Sequence, residues 1–212
     1  MIGIFDSGSG GLTVLKAIRD VMPSADILYF GDIKNAPYGS KSNSELSVLT
    51  VRAIELLQKR GANSIVSACN SVSASLAVSL FDALSITPDS LIEMVGPTVS
   101  YFKNSSARLL LAATPATIQS EIYQNAFRMI GKEVEAIAVP DLAAAIEFGS
   151  SEREIEHIIQ NVFKDVQLGN FDAVVLACTH YPLVSDVFQR VFGRVHLFDP
   201  AVAVGERVKR KL

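Results

Sequence analysis

The sequence predicts an α/β fold of two similar parallel-sheet domains related by pseudo-two-fold symmetry, with the active site in the cleft between them. Three observations carry that prediction. Short, near-continuous apolar runs alternate with helical patterns along the whole chain, as expected of parallel strands covered on both faces. Two of those runs resemble each other: Asn63-Ser64-Ile65-Val66-Ser67-Ala68-Cys69-Asn70 and Asp172-Ala173-Val174-Val175-Leu176-Ala177-Cys178-Thr179. They are offset by 178 − 69 = 109 residues, about half of the 212-residue chain, and each ends in one of its two cysteines.

The expected strands are Ile2–Phe5, Ile27–Phe30, Ser64–Ala68, Leu91–Val95, Arg108–Ala112, Val134–Val139, Ala173–Ala177 and Val195–Phe198. Helices between them are punctuated clearly. Pro23 ends the first, Ser42-x-x-Glu45 is a capping box that opens the second, and Gly61 stops it. A helix starting near Thr117 should end at Gly131, and Ser151-x-x-Glu154 caps one that should end near Gly169. The repeat extends beyond the cysteines. Leu28-Tyr29-Phe30-Gly31-Asp32 aligns with Ile137-Ala138-Val139-Pro140-Asp141 at 141 − 32 = 109, and Ile4-Phe5-Asp6-Ser7 with Leu111-Ala112-Ala113-Thr114 at 114 − 7 = 107. The expected division is residues 1–92 with 188–212 in one domain and 93–187 in the other. Ligands of open α/β sheets bind beyond the carboxyl ends of strands, where Asp6, Asp32, Cys69, Thr114 and Cys178 all fall.

Composition narrows the function. Hydrophobic residues make up 49% and charged residues 19%, the balance of a globular chain. A net charge of −3 offers no basic footprint for nucleic acid, and the basic Arg207, Lys209, Arg210 and Lys211 suit the last turn of a helix. Met1-Ile2-Gly3-Ile4-Phe5 has no basic leader character, and the longest apolar stretch, 65–86, is broken by Asn70, Asp82 and serines. A cytoplasmic protein with two reduced thiols and no membrane partner is expected.

Asp6-Ser7-Gly8-Ser9-Gly10-Gly11-Leu12-Thr13 follows the first strand and opens a helix. Thr13 stands where a dinucleotide fingerprint needs its third glycine, and no Gly-Lys-Ser/Thr follows, so it is neither that fingerprint nor a P-loop. An acid beside free backbone N–H groups suits a small ligand carrying both ammonium and carboxylate; the plain alternative is a strand–helix turn. Ala36-Pro37-Tyr38-Gly39-Ser40 makes a tight loop whose N–H groups and Ser40 hydroxyl could hold a carboxylate, or else an ordinary surface turn. Cys69-Asn70-Ser71 and Cys178-Thr179-His180 place hydrogen-bonding side chains directly after each thiol. A pair of thiols across a cleft points to stereo-inversion at carbon, one face losing a proton while the other gains one. A free thiol titrates near 8.5, so His180 beside Cys178 matters at neutral pH. Zinc is the alternative use of two Cys and one His, but no fourth ligand follows at a nearby spacing, and no metal is expected. His157 reads as a solvent-facing helix residue and His196 as a strand filler. Glu147 ends a helical run after Asp141, either solvated or reaching the cleft.

These segments together resemble the glutamate racemase family of the aspartate/glutamate racemase superfamily. The resemblance rests on Asp6-Ser7-Gly8-Ser9-Gly10-Gly11-Leu12-Thr13-Val14, Pro37-Tyr38-Gly39, Ala68-Cys69-Asn70-Ser71, Thr114-x-x-Thr117-Ile118-x-Ser120, Ile146-Glu147-x-Gly149 and Cys178-Thr179-His180-Tyr181-Pro182-Leu183, in that family's order and reaching about Asp199. It implies interconversion of L- and D-glutamate without cofactor, pyridoxal phosphate or metal, to supply bacterial peptidoglycan. A homodimer is one candidate assembly, which the sequence itself does not decide. It implies that Cys69 and Cys178 are the acid/base thiols, helped by Asp6, His180 and Glu147. Ser7, Pro37, Tyr38, Gly39, Ser40, Asn70, Ser71, Thr114, Thr117 and Thr179 would bind substrate. Departures from that family's pattern include Ser71 for a usual Thr, Ala177 for a frequent Gly, and an end at Leu212 where typical members carry more helix. The alternatives are a superfamily racemase for aspartate or a related acid, and a non-catalytic homologue that keeps the cleft.

Overall fold

The computed structural model describes residues 1–73 and 90–212, so the later part of the run 65–86 lies outside the described residues. All eight expected strands are present. In the first sheet β1 (Ile2–Asp6), β2 (Ile27–Gly31), β3 (Ser64–Ser67) and β4 (Leu91–Ile92) lie in the order β2-β1-β3-β4. In the second, β5 (Leu109–Ala113), β6 (Val134–Ala138), β7 (Ala173–Ala177) and β8 (His196–Phe198) lie in the order β6-β5-β7-β8. Every pair is parallel, and the two sheets share one topology.

The register gives the symmetry its residue-level content. Phe5 pairs with Phe30 and Ser67, and Ala112 pairs with Ile137 and Leu176. The offsets are 112 − 5 = 107 and 176 − 67 = 109, as read from the sequence. For the outer strands the offset is 137 − 30 = 107, which corrects the alignment of Asp32 with Asp141 by two residues. Apolar runs slide along one another without a register mark; ladder pairing supplies it.

Helices cover both faces of each sheet. On the first, α1 (Leu12–Val21) packs Val14 and Ile18 against Ile2, Ile4 and Val66, while α2 (Asn43–Lys59) packs Leu46, Ile54 and Leu57 on the other face around Phe5 and Ile65. The Ser42 capping box is formed, with its hydroxyl accepting from the Glu45 N–H and the Glu45 carboxylate accepting from the Ser42 N–H. A short α3 (Asn70–Ser73) starts directly after Cys69. On the second sheet, β5 alternates in the manner of a strand: Leu110 and Ala112 face one side, Leu109, Leu111 and Ala113 the other. The first side is covered by α7 (Leu142–Glu147), α8 (Glu152–Phe163) and α9 (Ser185–Phe192), the second by α4 (Val95–Tyr101) and α6 (Ile122–Met129). The final helix, α10 (Pro200–Lys211), joins both halves: Ala201, Val204 and Val208 pack with α1, and Ala203 with the second core.

Several expectations are corrected. The strand expected over 91–95 stops at Ile92, because the Glu93 carboxylate accepts the N–H groups of Val95 and Gly96 and starts α4. The helix expected from Thr117 to Gly131 is two, α5 (Pro115–Gln119) and α6, parted at Glu121 in the left-handed region with φ 54°. α8 ends at Phe163, not near Gly169. Near the end of the chain α9 packs in the second core, β8 pairs with β7, and α10 packs against α1.

Candidate active site

In each half the first and third strands lie side by side at the point where the connections diverge, β1 beside β3 and β5 beside β7. Asp6-Ser7 and Cys69 leave one pair of carboxyl ends, Thr114 and Cys178 the other. The two edges face each other around one small cavity. Ser7, Pro37, Tyr38, Gly39, Asn70, Ser71, Thr114, Glu147, Thr179 and His180 line it with both thiols. Its volume of about 20 Å³ is close to the minimum that holds a single water. A second cavity of about 330 Å³ shares Pro37, Gly39, Thr114 and Ala143 as walls and opens past Ser40, Lys41 and Gln119.

The thiols have matched surroundings. Each sits just before a short helical turn and accepts two backbone N–H groups, from Ser71 and Val72 for Cys69 and from His180 and Tyr181 for Cys178. Ser7 Oγ lies 3.9 Å from Cys69 Sγ, and His180 Nδ1 lies 3.9 Å from Cys178 Sγ. Burial pushes the Cys69 thiol up to about 12, with the Asp6 charge adding to it and the N–H bonds opposing. Burial also raises Cys178, with Cys69 and Asp6 adding. Both thiols are therefore neutral around pH 7 until something nearby favours the thiolate.

Side chains from one half brace those of the other. Thr179 donates to Asp6 Oδ1 at 3.2 Å, and the Gly8 N–H donates to Asp6 Oδ2 at 3.0 Å. Asp6 is fully buried, and burial raises its pKa against the opposing effect of His180 and these hydrogen bonds. His180 Nε2 and Glu147 Oε2 are 2.5 Å apart. Burial would raise Glu147, but bonds from His180 and Ser9 outweigh it and hold the carboxyl below its ordinary value. Ser71 and Thr114 hydroxyls meet at 3.0 Å, and Tyr123 donates to Asn70 Oδ1 at 2.6 Å. The buried Asn70 Nδ2 lies beside the cavity with no hydrogen-bond partner among the described residues. The described residues contain no cluster of three or more His, Cys, Asp or Glu able to hold a metal ion.

Most residues picked out from the sequence meet here; three do not line the cavity, the first being Asp6, which is fully buried and is met by the Thr179 hydroxyl at 3.2 Å. Ser40 is exposed on the rim of the larger cavity. Thr117 is fully buried behind Thr114, whose hydroxyl it meets at 3.1 Å. His157 is exposed on α8, and His196 is exposed on the edge strand β8. Sequence reading missed Tyr123, Ser9 and the Asp32–Tyr38 bond of 2.7 Å that fixes the Pro37-Tyr38-Gly39 loop. Tyr123 and Ser9 depend on contacts 53 and 138 residues apart in the chain, whereas the Asp32–Tyr38 bond is local to its loop.

The model of Asp/Glu/hydantoin racemases matches residues 13–207. The chain belongs to that family. A glutamate racemase of Carboxydothermus hydrogenoformans is 35% identical to this family member over its whole length, which spans 79% of that relative. Among solved structures, the Bacillus anthracis glutamate racemase isoform RacE1 superposes with a TM-score of 0.89 at 28% identity, covering 99% of this chain and 80% of that one. The Francisella tularensis glutamate racemase in complex with D-glutamate superposes at 0.88 with 30% identity, covering 99% and 79%.

Proposed function

We propose that this racemase-family chain interconverts L- and D-glutamate by two-thiol acid/base catalysis, and that its product supplies bacterial peptidoglycan. The observation that carries the reading is a pair of buried thiols at equivalent strand ends lining one cavity. In this reading the working halves are residues 1–92 with 200–212, and 93–199.

One thiolate removes the α-proton from one face of the substrate carbon. The carbanion spreads its charge into the α-carboxylate, and the other thiol returns a proton on the opposite face. Substrate and product are mirror images, so nothing is oxidised or reduced. Asn70 Nδ2 and the Ser71 and Thr114 hydroxyls supply donors where that charge develops, the arrangement that lowers such a barrier, while Thr179 gives its hydroxyl proton to Asp6 and holds that acid at the cleft. The raised thiol pKa values fit a site that charges only when occupied. The substrate ammonium favours a thiolate beside it, as any close opposite charge does. His180, held by Glu147, serves the proton of Cys178; Asp6 and Ser7 serve the Cys69 side. Ser40 and Thr117 act at one remove, at the entrance and behind Thr114. A 20 Å³ cavity is too small for an amino acid, so the halves must part to admit it.

Incubation with L-glutamate or L-aspartate in deuterated water tests the proposal. Loss of optical activity with deuterium appearing at Cα is expected for glutamate. Preference for aspartate would move the assignment to another acid, and no exchange with either would leave a binding protein.

A further inference from the structure

We infer that Ser9 is a positioning residue for the proton relay at Cys178, an inference that rests on the racemase reading above. Ser9 sits in the turn after β1, in the first half of the molecule, while Glu147, His180 and Cys178 belong to the second. It nevertheless makes three hydrogen bonds to the Glu147 carboxylate. Its hydroxyl donates to Oε2 at 2.8 Å, and its N–H reaches Oε2 at 3.0 Å and Oε1 at 3.2 Å. Oε2 is the oxygen that meets His180 Nε2.

A glutamate at the end of a helix has three side-chain torsions and loses much freedom when fixed in one direction. Here the fixing groups come from across the cleft. Gly8 makes room for them: a Cβ there would lie 2.7 Å from the Glu147 carboxylate atoms. The ring of His180 is then held from its Nε2 side, which aims Nδ1 at Cys178. The relay is complete only when the halves are closed, because Ser9 arrives with the first half. Ser9 is not among the groups around Cys69, which are Ser7, the N–H groups of Ser71 and Val72, and the Asp6 charge. Ser9 therefore serves one thiol and not the other.

Elimination of HCl from the two enantiomers of a glutamate chlorinated at Cβ separates the thiols. One thiolate takes the α-proton, the C–H electron pair becomes the Cα=Cβ bond, and chloride leaves with the C–Cl pair. The enantiomer still processed by Cys69→Ser reports on Cys178, and the one still processed by Cys178→Ser reports on Cys69. With one charge-assisted bond removed, Ser9→Ala is expected to slow the Cys178-dependent elimination about tenfold and the other less than about twofold. Ser9→Thr should restore the rate. Ser9→Val compared with Ser9→Thr gives the same contrast at constant shape, whether or not the alanine variant folds. Equal slowing of both eliminations, or of neither, overturns the inference. A wild-type chain inactive on both enantiomers and on glutamate would remove the racemase reading and this inference with it, a result distinct from an active chain whose two eliminations slow alike.

Discussion

Replacing Gly10 by alanine should disable the Cys178 side of the site without replacing any acid/base group. A Cβ at this position would stand 2.6 Å from His180 Nδ1, 2.7 Å from Thr179 Oγ1 and 2.8 Å from His180 Cε1. Ordinary contact begins near 3.4 Å, so the ring must retreat by about 3.4 − 2.6 = 0.8 Å. It cannot do so freely, because its far nitrogen is 2.5 Å from Glu147. Gly10 is not in the left-handed region, so backbone strain does not contribute. A displacement approaching 1 Å costs on the order of 10²-fold in rate when it misplaces an acid/base group. The overpacking itself should cost about 1–3 kcal/mol. Racemisation followed by circular dichroism, with thermal unfolding in parallel, reads both quantities. Gly169→Ala, where a Cβ meets nothing within 4 Å, serves as the control and should change neither. A folded Gly10→Ala enzyme with wild-type kcat would refute the claim that His180 must stay in place.

Two further outcomes follow from the charges. Glu147 lies below its ordinary value of 4.5, so it binds a proton more weakly folded than unfolded. Its contribution to stability is present above that ordinary value and is lost as pH falls through the lower folded value; Glu147→Gln should therefore destabilise the protein at neutral pH and progressively less in acid, as read from denaturant midpoints. A loss independent of pH would contradict the weakened proton binding of Glu147. Burial that lifts Cys69 to about 12 predicts that its alkylation by iodoacetamide, in a Cys178→Ser background, keeps rising to about pH 10 without a plateau. A plateau near the free-thiol value would show that the thiol is exposed to water.

Much of this arrangement is legible in the sequence because its signals are local. Parallel strands covered on both faces are apolar throughout, so all eight stand out, and Ser42 and Ser151 carry their capping boxes within four residues. The 109-residue offset between the thiols survives as hydrogen-bond register. What escapes is set by contacts between distant residues. Ser9 and Glu147 are 138 residues apart, and Asn70 and Tyr123 are 53 apart. The three residues of β8 carry no sign of which sheet they join; pairing with β7 decides it. Thr117 reads as a substrate ligand because it belongs to the same turn as Thr114, yet that turn points its hydroxyl inward.

The central claim assigns one thiol to each face of the substrate, and single-thiol variants test it most directly. Cys69→Ser and Cys178→Ser remove little volume, although an unpaired buried hydroxyl costs about 1–3 kcal/mol, so both should fold. Each should lose nearly all racemisation and keep HCl elimination from one enantiomer of the chlorinated analogue, with the two variants choosing opposite enantiomers. Elimination from the same enantiomer by both variants, or near-wild-type racemisation by either, would contradict the account.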